Sequence, residues 1–411
     1  MKQGYLSQYF EGVAAKRLSA VEADGTRSHQ HEYHATKKML VFLGSPEEKT
    51  RIPARFFYLT DDDPDPIVED AFLTLYNCRK GKPRPPEYHL YFPTTNVSLN
   101  ASEGDLLVIA KKRDGGLLVI IAENGSSIGQ QIEWLFGFVD LAHPGFSVKS
   151  ELETEQDRIE FASRFILENI GIEVETSEDT YLDAMLSRFS GRLPTTREFS
   201  AYARSTLPDL SPQEQPDLVL MTWMEREEIL FRTFERYLIA DRLSQGFTGG
   251  ISTGAVDVDG FLSFSLSVQN RRKSRVGLAL ENHLELLFTE NGLRYARAPI
   301  TENRAKPDFL FPGAAEYHDP AFDPLKLTML GVKSTCKDRW RQVLAEADRI
   351  DHKHLLTLET SISTRQTDEM AAKQLQLVLP RSLHRTYTPV QQEWLMDLEA
   401  FIGLARKQQD G

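Results

Sequence analysis

The chain reads as two domains: a mainly β N-terminal domain, small and barrel-like with flanking helices, and a C-terminal α/β domain with a mixed or parallel central sheet. Three observations predict this. Through roughly the first 140 residues, short apolar runs are bounded by Gly, Pro, Asp and Asn, the punctuation of strands. From about residue 185, apolar residues take up helical spacing over long stretches. After about residue 300, strand-like and helix-like runs alternate, as they do where helices cover a sheet.

Taken in order, "KMLVFLG", "ARFFYLT", "EYHLYFP", "GDLLVIAKK" and "GGLLVIIAEN" are the predicted N-terminal strands, and "KRDGG" is a hairpin turn between the last two. "SSIGQQIEWLFG" has helical apolar spacing, and "EQDRIEFASRFILENIG" is a helix stopped at Gly171. The acidic, weakly patterned stretch 173–184 is read as a hinge between domains 1–172 and 185–411. Beyond it, "TTREFSAYARSTL", "TWMEREEILFRTFERYLIADRLS" and "SRVGLALENHLELLFTENG" are helices. "KPDFLFPG", "KLTMLGVKST", "HKHLLTLE" and "LQLVLP" are strands. "DRWRQVLAEADRI" and "QQEWLMDLEAFIGLARK" are the helices interleaved with and following them.

The 411 residues are 41% hydrophobic and 26% charged, ordinary for a globular protein that needs no disulfide or metal in order to fold. Two cysteines, Cys78 and Cys336, suit a reducing cytoplasm. The N-terminus lacks the apolar core of a secretory signal, and no run of 18 apolar residues predicts a membrane span. A formal net charge of −12 argues against a protein that coats nucleic acid nonspecifically. Basic residues nevertheless concentrate in "NRRKSR" (Asn270 to Arg275), "KSTCKDRWRQ" (Lys333 to Gln342) and "NCRKGKPR" (Asn77 to Arg84), consistent either with basic grooves on an acidic body or with solvated surface runs.

One constellation carries chemistry. Asp308 opens the strand "PDFLF", and Lys333 closes an apolar strand 25 residues later, so neighbouring strands could bring the carboxylate and the ammonium to one sheet edge. Phosphodiester hydrolysis is helped by a divalent ion, which Mg²⁺ supplies on a few carboxylates, and by a nearby cation. In the common nuclease pattern a second acid stands two residues before the lysine, but here that position is Gly331. Glu346 lies near the apolar face marked by Trp340, Val343, Leu344, Ala347 and Ile350, and could replace that acid. It could equally be a surface residue paired with Arg349 or Gln342. Glu281, near an apolar stripe, could add a further carboxylate or face solvent.

The stretch from Asn270 to Asp348, through "NRRKSRVGLALENHLELLF", "KPDFLFPGAAEYHD" and "VKSTCKDRWRQVLAEAD", resembles EcoRII-type (type IIE) restriction endonucleases, and "KRLSAVEADGTRSHQH" resembles the start of that family. The resemblance implies a C-terminal PD-(D/E)xK-like nuclease domain in which the acid has migrated onto the helix that follows the strand. Asp308 and Glu346 would bind Mg²⁺, Lys333 would position or activate the water, and Glu281 would assist. Lys337, Asp338 and Arg339 would read a CC:GG half-site in the major groove, where Arg and Lys donate to guanine and Asp accepts from cytosine. Asn270, Arg271, Arg272, Lys273, Arg275 and Arg341 would contact the DNA backbone or the dimer partner. Trp223 and Arg226 are the candidates for a pocket that receives an extruded central base.

The same resemblance implies an N-terminal DNA-binding pseudobarrel that takes up a second, effector copy of the site. Lys16, Arg17, His29, His31, Arg79, Lys80, Lys82 and Arg84 are its candidate contacts. His29, His31 and His34 hint at a metal, but no second cluster with ligand spacing supports zinc. The expected partners are double-stranded DNA and a second copy of the chain, because a two-fold protein matches a palindromic site. The competing readings are a non-catalytic DNA-binding regulator on a decayed nuclease fold and a nuclease that reads DNA structure rather than sequence.

Overall fold

The computed structural model describes residues 4–410 apart from 24–30, 64, 140, 142–144, 175–180, 209, 249–255 and 337–338. The chain forms two compact units. The first comprises Met1–Val174 together with Thr360–Thr367 and Thr386–Thr388, and the second comprises Glu175–Glu359, Asp368–Arg385 and Pro389–Gly411. Two short pieces from the C-terminal part of the sequence thus fold with the first unit, and residues 175–180 of the expected hinge lie outside the described residues.

Eight strands build the first unit: β1 (Phe10–Arg17), β2 (Glu32–Ala35), β3 (Thr50–Leu59), β4 (Ile67–Asn77), β5 (Tyr88–Tyr91), β6 (Leu106–Lys112), β7 (Leu117–Ala122) and β8 (Ser147–Lys149). They form one sheet in the order β2-β5-β4-β3-β7-β6-β1-β8. Strands β6 and β7 are buried on both sides, which is why they read as continuous apolar runs rather than alternating ones. Along β6, Leu106, Val108 and Ala110 enter a core with Phe10 and Phe136, while Leu107 and Ile109 enter another with Tyr33, Phe56 and Leu90. The "KRDGG" turn joins β6 to β7 as an antiparallel pair. Helices α1 (Ser127–Phe136) and α2 (Phe161–Asn169) pack on the first core.

The run "KMLVFLG" is not a strand. It folds as one helical turn, Leu40–Leu43, with Met39 and Phe42 buried three residues apart, Val41 turned out to solvent, and Gly44 ending the turn at positive φ. The recruited C-terminal piece is tied in by hydrogen bonds: Ser363 N–H donates to Ser127 Oγ (2.8 Å), and Gln131 Nε2 donates to the Thr360 carbonyl (2.9 Å). Asp61, which accepts from the N–H groups of Ser127 and Ile128 at the start of α1, also accepts from Gln366 Nε2.

In the second unit, α3 (Leu182–Phe189), α4 (Thr196–Ser205) and the long helices α5 (Pro216–Ser244) and α6 (Val258–Glu290) precede a five-stranded sheet. Its strands are β9 (Ala296–Arg297), β10 (Phe309–Phe311), β11 (Thr328–Lys333), β12 (Lys353–Thr357) and β13 (Leu375–Val378), in the order β13-β12-β11-β10-β9. β9, β10 and β11 pair antiparallel, whereas β11, β12 and β13 pair parallel, so the sheet is mixed. Helix α7 (Trp340–Val343) lies between β11 and β12, α8 (Thr364–Ala372) between β12 and β13, and α9 (Leu398–Asp410) follows the sheet.

The helical part has its own core, in which Phe199, Tyr202, Phe231 and Phe234 meet. The C-terminal half of α6 then crosses to the sheet, where Phe288 makes edge contacts with Phe309 (5.1 Å) and Phe311 (5.2 Å), and Phe311 with Phe401 of α9 (5.7 Å). Each such ring, fully buried, contributes on the order of 1.5–3 kcal/mol. Together they fix the two strands that carry the site.

Candidate active site

Antiparallel register sets the first pair of groups. Phe309 lies opposite Leu330 and Phe311 opposite Thr328, so Asp308, one residue before β10, stands across from the C-terminal end of β11. There Lys333 Nζ donates to Asp308 Oδ2 at 2.9 Å, and the Val332 N–H donates to the same oxygen at 2.6 Å. Both side chains are mostly shielded, 12% exposed for Lys333 and 19% for Asp308. Because both bonds described fall on Oδ2, Oδ1 keeps its lone pairs for another cation.

The glycine at the usual position of the second acid has a packing cause. A Cβ on Gly331 would lie 2.8 Å from Val343 Cγ2 and 3.0 Å from Cγ1, so the side chain of Val343 fills the space that an acid there would need. The same short helix delivers the replacement. α7 is only four residues long, and the chain leaves it through Glu346, with Ala347 in the left-handed region at φ 52°. The helix expected over 338–350 is therefore a single turn followed by a bend. The apolar spacing still reports burial correctly, since Trp340, Val343, Ala347 and Ile350 are all buried. Nor does Glu346 pair with Arg349, whose guanidinium donates to the backbone carbonyls of Tyr317, Asp319 and Phe322.

Glu346 turns inward. Its Oε2 is buried with no hydrogen-bond donor among the described residues. Burial pushes the pKa of this carboxyl up to about 7, Asp308 adds to the rise, and the amines of Lys333 and Lys353 oppose it. Lys353 Nζ is itself committed to the Leu344 carbonyl at 2.7 Å. A buried carboxylate oxygen without a donor is costly, and a hard cation is one way to satisfy it. Asp308 Oδ1 and Glu346 Oε2 thus fit Mg²⁺ by donor chemistry.

Without metal, the buried Glu346 carboxyl makes stability depend on pH. The folded pKa lies above the ordinary value of 4.5, so the folded state holds the proton more tightly, and stability falls as pH rises from about 4.5 to about 7. In metal-free buffer at pH 8, Glu346→Gln should therefore raise stability by about 1–2 kcal/mol after allowance for partial solvent screening. At pH 5 the gain should shrink toward zero. Chemical denaturation at the two pH values checks this, and an equal gain at both would reject the burial account.

Glu281 is engaged elsewhere. Arg297, on β9 beside the start of β10, donates to it at 2.9 Å and also holds Glu285 at 2.7 Å. Glu281 lies one turn beyond Gly277, which approaches Ser334 just after Lys333, so it borders the site on the face of α6 that meets the end of β11. Its described partner is nonetheless Arg297.

The basic residues separate by depth. Lys337 and Asp338 lie outside the described residues, while Arg339 is exposed at the turn before α7. Arg341 is half exposed, pairs with Glu369 at 2.9 Å and stacks on Trp340. Asn270 and Lys273 are exposed. Arg272 and Arg271 point to the fully buried Glu235, at 2.6 and 3.8 Å.

Arg275 is a correction to the expected contact surface. It is 6% exposed and sits with its guanidinium 4.6 Å from the ring centres of both Phe199 and Phe231, because it is one turn from buried Ala279 on the inner face of α6. Burial pulls its pKa down against the fields of Glu227 and Glu235. Arg275→Ala should thus cost about 2–4 kcal/mol of stability through lost packing while leaving the salt dependence of DNA binding unchanged. A change in that dependence, with stability intact, would return Arg275 to the surface. Trp223 and Arg226 are also buried, against His283 and against Tyr181 and Thr206, so neither is open to an extruded base.

In the first unit Lys16 is likewise a correction. It is 3% exposed and pairs with Glu22 at 2.5 Å, because it lies in the doubly covered strand β1. Arg17 pairs with Glu133 at 2.5 Å, Arg79 pairs with Glu87, and exposed Lys80 pairs with Glu48 at 2.5 Å. Lys82 and Arg84 are exposed, His31 packs against Tyr91 and Phe92, and His29 lies outside the described residues.

Residues 231–402 match the family model described as EcoRII C terminal. Over 214 residues the chain is 44% identical to the Type II restriction enzyme EcoRII of Escherichia coli, a match covering 51% of this chain and 50% of that protein. The chain thus aligns with about half the length of that relative. Among solved structures, metal-depleted Ecl18kI in complex with uncleaved, modified DNA aligns with a TM-score of 0.44 at 18% identity, over 57% of this chain and 86% of that one. The restriction endonuclease PspGI–substrate DNA complex aligns with a TM-score of 0.42 at 17% identity, over 53% and 94%. No helix among the described residues is long and apolar enough to cross a membrane. On the family match and the level of identity to EcoRII, the C-terminal part of the chain, residues 231–402, is similar to the EcoRII C-terminal family.

Proposed function

We propose that this chain is a Mg²⁺-dependent type II restriction endonuclease that cuts both strands of DNA at a CCWGG/CCNGG-like site and works in the cytoplasm as a homodimer. The observation that carries this reading is the pairing of Asp308 and Lys333 at 2.9 Å beside a buried oxygen of Glu346 that has no hydrogen-bond donor among the described residues. Asp308 and Glu346 would hold the Mg²⁺ ion, which when bound would polarise the scissile phosphate and lower the pKa of the attacking water. Lys333 would orient that water and offset the charge that develops on the phosphate. Val332 N–H fixes the rotamer of Asp308, so the carboxylate is set before substrate arrives.

Arg339, with Lys337 and Asp338, would read the half-site from the turn that follows Lys333 directly, so that base readout and assembly of the site share one short segment. Lys273 and Asn270, exposed on α6, would make phosphate contacts, as would Arg341 if it leaves Glu369. The first unit would act as a pseudobarrel binding a second copy of the site as effector, the type IIE arrangement. Its exposed Lys80, Lys82 and Arg84 are the residues best exposed for that role. Incubating the full chain with plasmid DNA and Mg²⁺ tests the proposal. Discrete fragments whose ends map to one short palindrome support it; a smear, or intact plasmid, rejects it.

A further inference from the structure

The strand register of the first unit collects metal-ligating side chains at a place distant in sequence from Asp308, Lys333 and Glu346. Tyr76 lies opposite His89 across β4 and β5, and His34 lies opposite His89 across β2 and β5. Opposed residues, and residues two apart on one strand, share a face of a sheet. Cys78, two beyond Tyr76, and Glu87, two before His89, extend this face, and the Cys78 N–H still pairs with the Glu87 carbonyl at 2.8 Å. Donor atoms of Cys78, Glu87 and His89 all lie within 4.8 Å of one another.

The surroundings of His89 have the order of a ligand and its support. Its Nδ1 is 2.8 Å from Glu32 Oε2, while Nε2 faces Glu87 Oε1 at 3.2 Å. Glu32 is itself held by the Tyr76 hydroxyl, and Arg79 pairs with the other oxygen of Glu87. A carboxylate on one imidazole nitrogen, with the other turned to a second carboxylate and a thiol within reach of the ring, is the pattern that fixes the tautomer of a metal-binding histidine. Around one tetrahedral zinc ion, donors at about 2.0–2.3 Å stand roughly 3.3–3.8 Å apart, so the three need only a small closure.

We propose that Cys78, Glu87 and His89 form a binding site for a borderline-soft divalent ion of the zinc class, with exposed His34, its ring centre 5.8 Å from that of His89, placed to supply the fourth donor. On binding, the Cys78 thiol releases its proton to solvent and coordinates as thiolate. Cys78 and Glu87 are the two ends of the loop that carries Arg79, Lys80, Lys82 and Arg84, so the ion fastens the neck of the most basic loop of the first unit. The site is independent of the nuclease reading.

Cobalt(II) titration of the full chain tests this, because thiolate-to-cobalt charge transfer absorbs strongly and requires a cysteine ligand. The expected result is one cobalt per chain with this absorption, displaced by zinc. Cys78→Ser abolishes it, whereas Cys336→Ser and Asp308→Ala leave it unchanged. Glu32→Gln, which keeps the ligands, weakens affinity roughly 10- to 100-fold. Far-UV circular dichroism establishes that each variant is folded. Absence of the absorption in the folded full chain, its persistence in Cys78→Ser, or its loss in Cys336→Ser would overturn the assignment.

Discussion

Replacing Lys333 with Ala should slow DNA cleavage by at least about 10²–10³-fold, equivalent to about 2.7–4 kcal/mol of transition-state stabilisation, while affinity for cognate DNA stays within a few-fold. The amine is 2.9 Å from Asp308 and only 12% exposed, so its charge acts in a poorly screened setting where the phosphate would develop negative charge. On the proposed reading, affinity would rest on phosphate and base contacts made by other residues, which the substitution leaves in place. Asp308→Ala should be at least as damaging, since it removes an oxygen proposed to hold the metal and strands both the Lys333 amine and the Val332 N–H. Single-turnover cleavage at saturating enzyme, alongside equilibrium binding in Ca²⁺, separates the two quantities. Undiminished cleavage by both variants would remove these residues from the chemistry.

At Gly331 a large effect on stability is expected instead. Restoring the acid at the usual spacing, Gly331→Glu, should destabilise the second unit and should not rescue Glu346→Ala. Even Gly331→Ala places its Cβ 2.8 Å from one methyl of Val343 and 3.0 Å from the other. Val343 is branched and fully buried beside Trp340, so it cannot swing away as a flexible chain end would. Overpacking of this kind costs about 1–3 kcal/mol. Val343→Ala should recover much of that loss when combined with Gly331→Ala, although alone it leaves a cavity. Denaturant unfolding of the four proteins gives the coupling. Strict additivity would show that the two positions do not compete for space.

Strands β6 and β7 were legible because burial on both faces wrote them as unbroken apolar runs. The closeness of Asp308 and Lys333 was legible for the same reason, each lying at the edge of such a run. Glu346 was found by a spacing whose backbone is not helical: Val343, Ala347 and Ile350 are buried as a helix would bury them, yet the helix ends at Val343. Within the basic run Arg271 to Arg275, Arg275 misled because charge alone does not say which way a helix faces. Arg275 is one turn from Ala279, and that relation, rather than its charge, places it between two phenylalanines. The grouping of Cys78, Glu87 and His89 could not be read at all, since it depends on the register between β4 and β5, which the intervening loop sets.

The polypeptide passes between the two units five times, because 360–367 and 386–388 fold with residues from the N-terminal part. A gene cut after Val174 would therefore encode a fragment in which Ser127 Oγ and Gln131 Nε2 have lost the backbone groups they hold. The complementary fragment would carry those groups with nothing to receive them. Shuffling either half onto a foreign partner would meet the same mismatch, so the two are heritable together rather than as interchangeable modules.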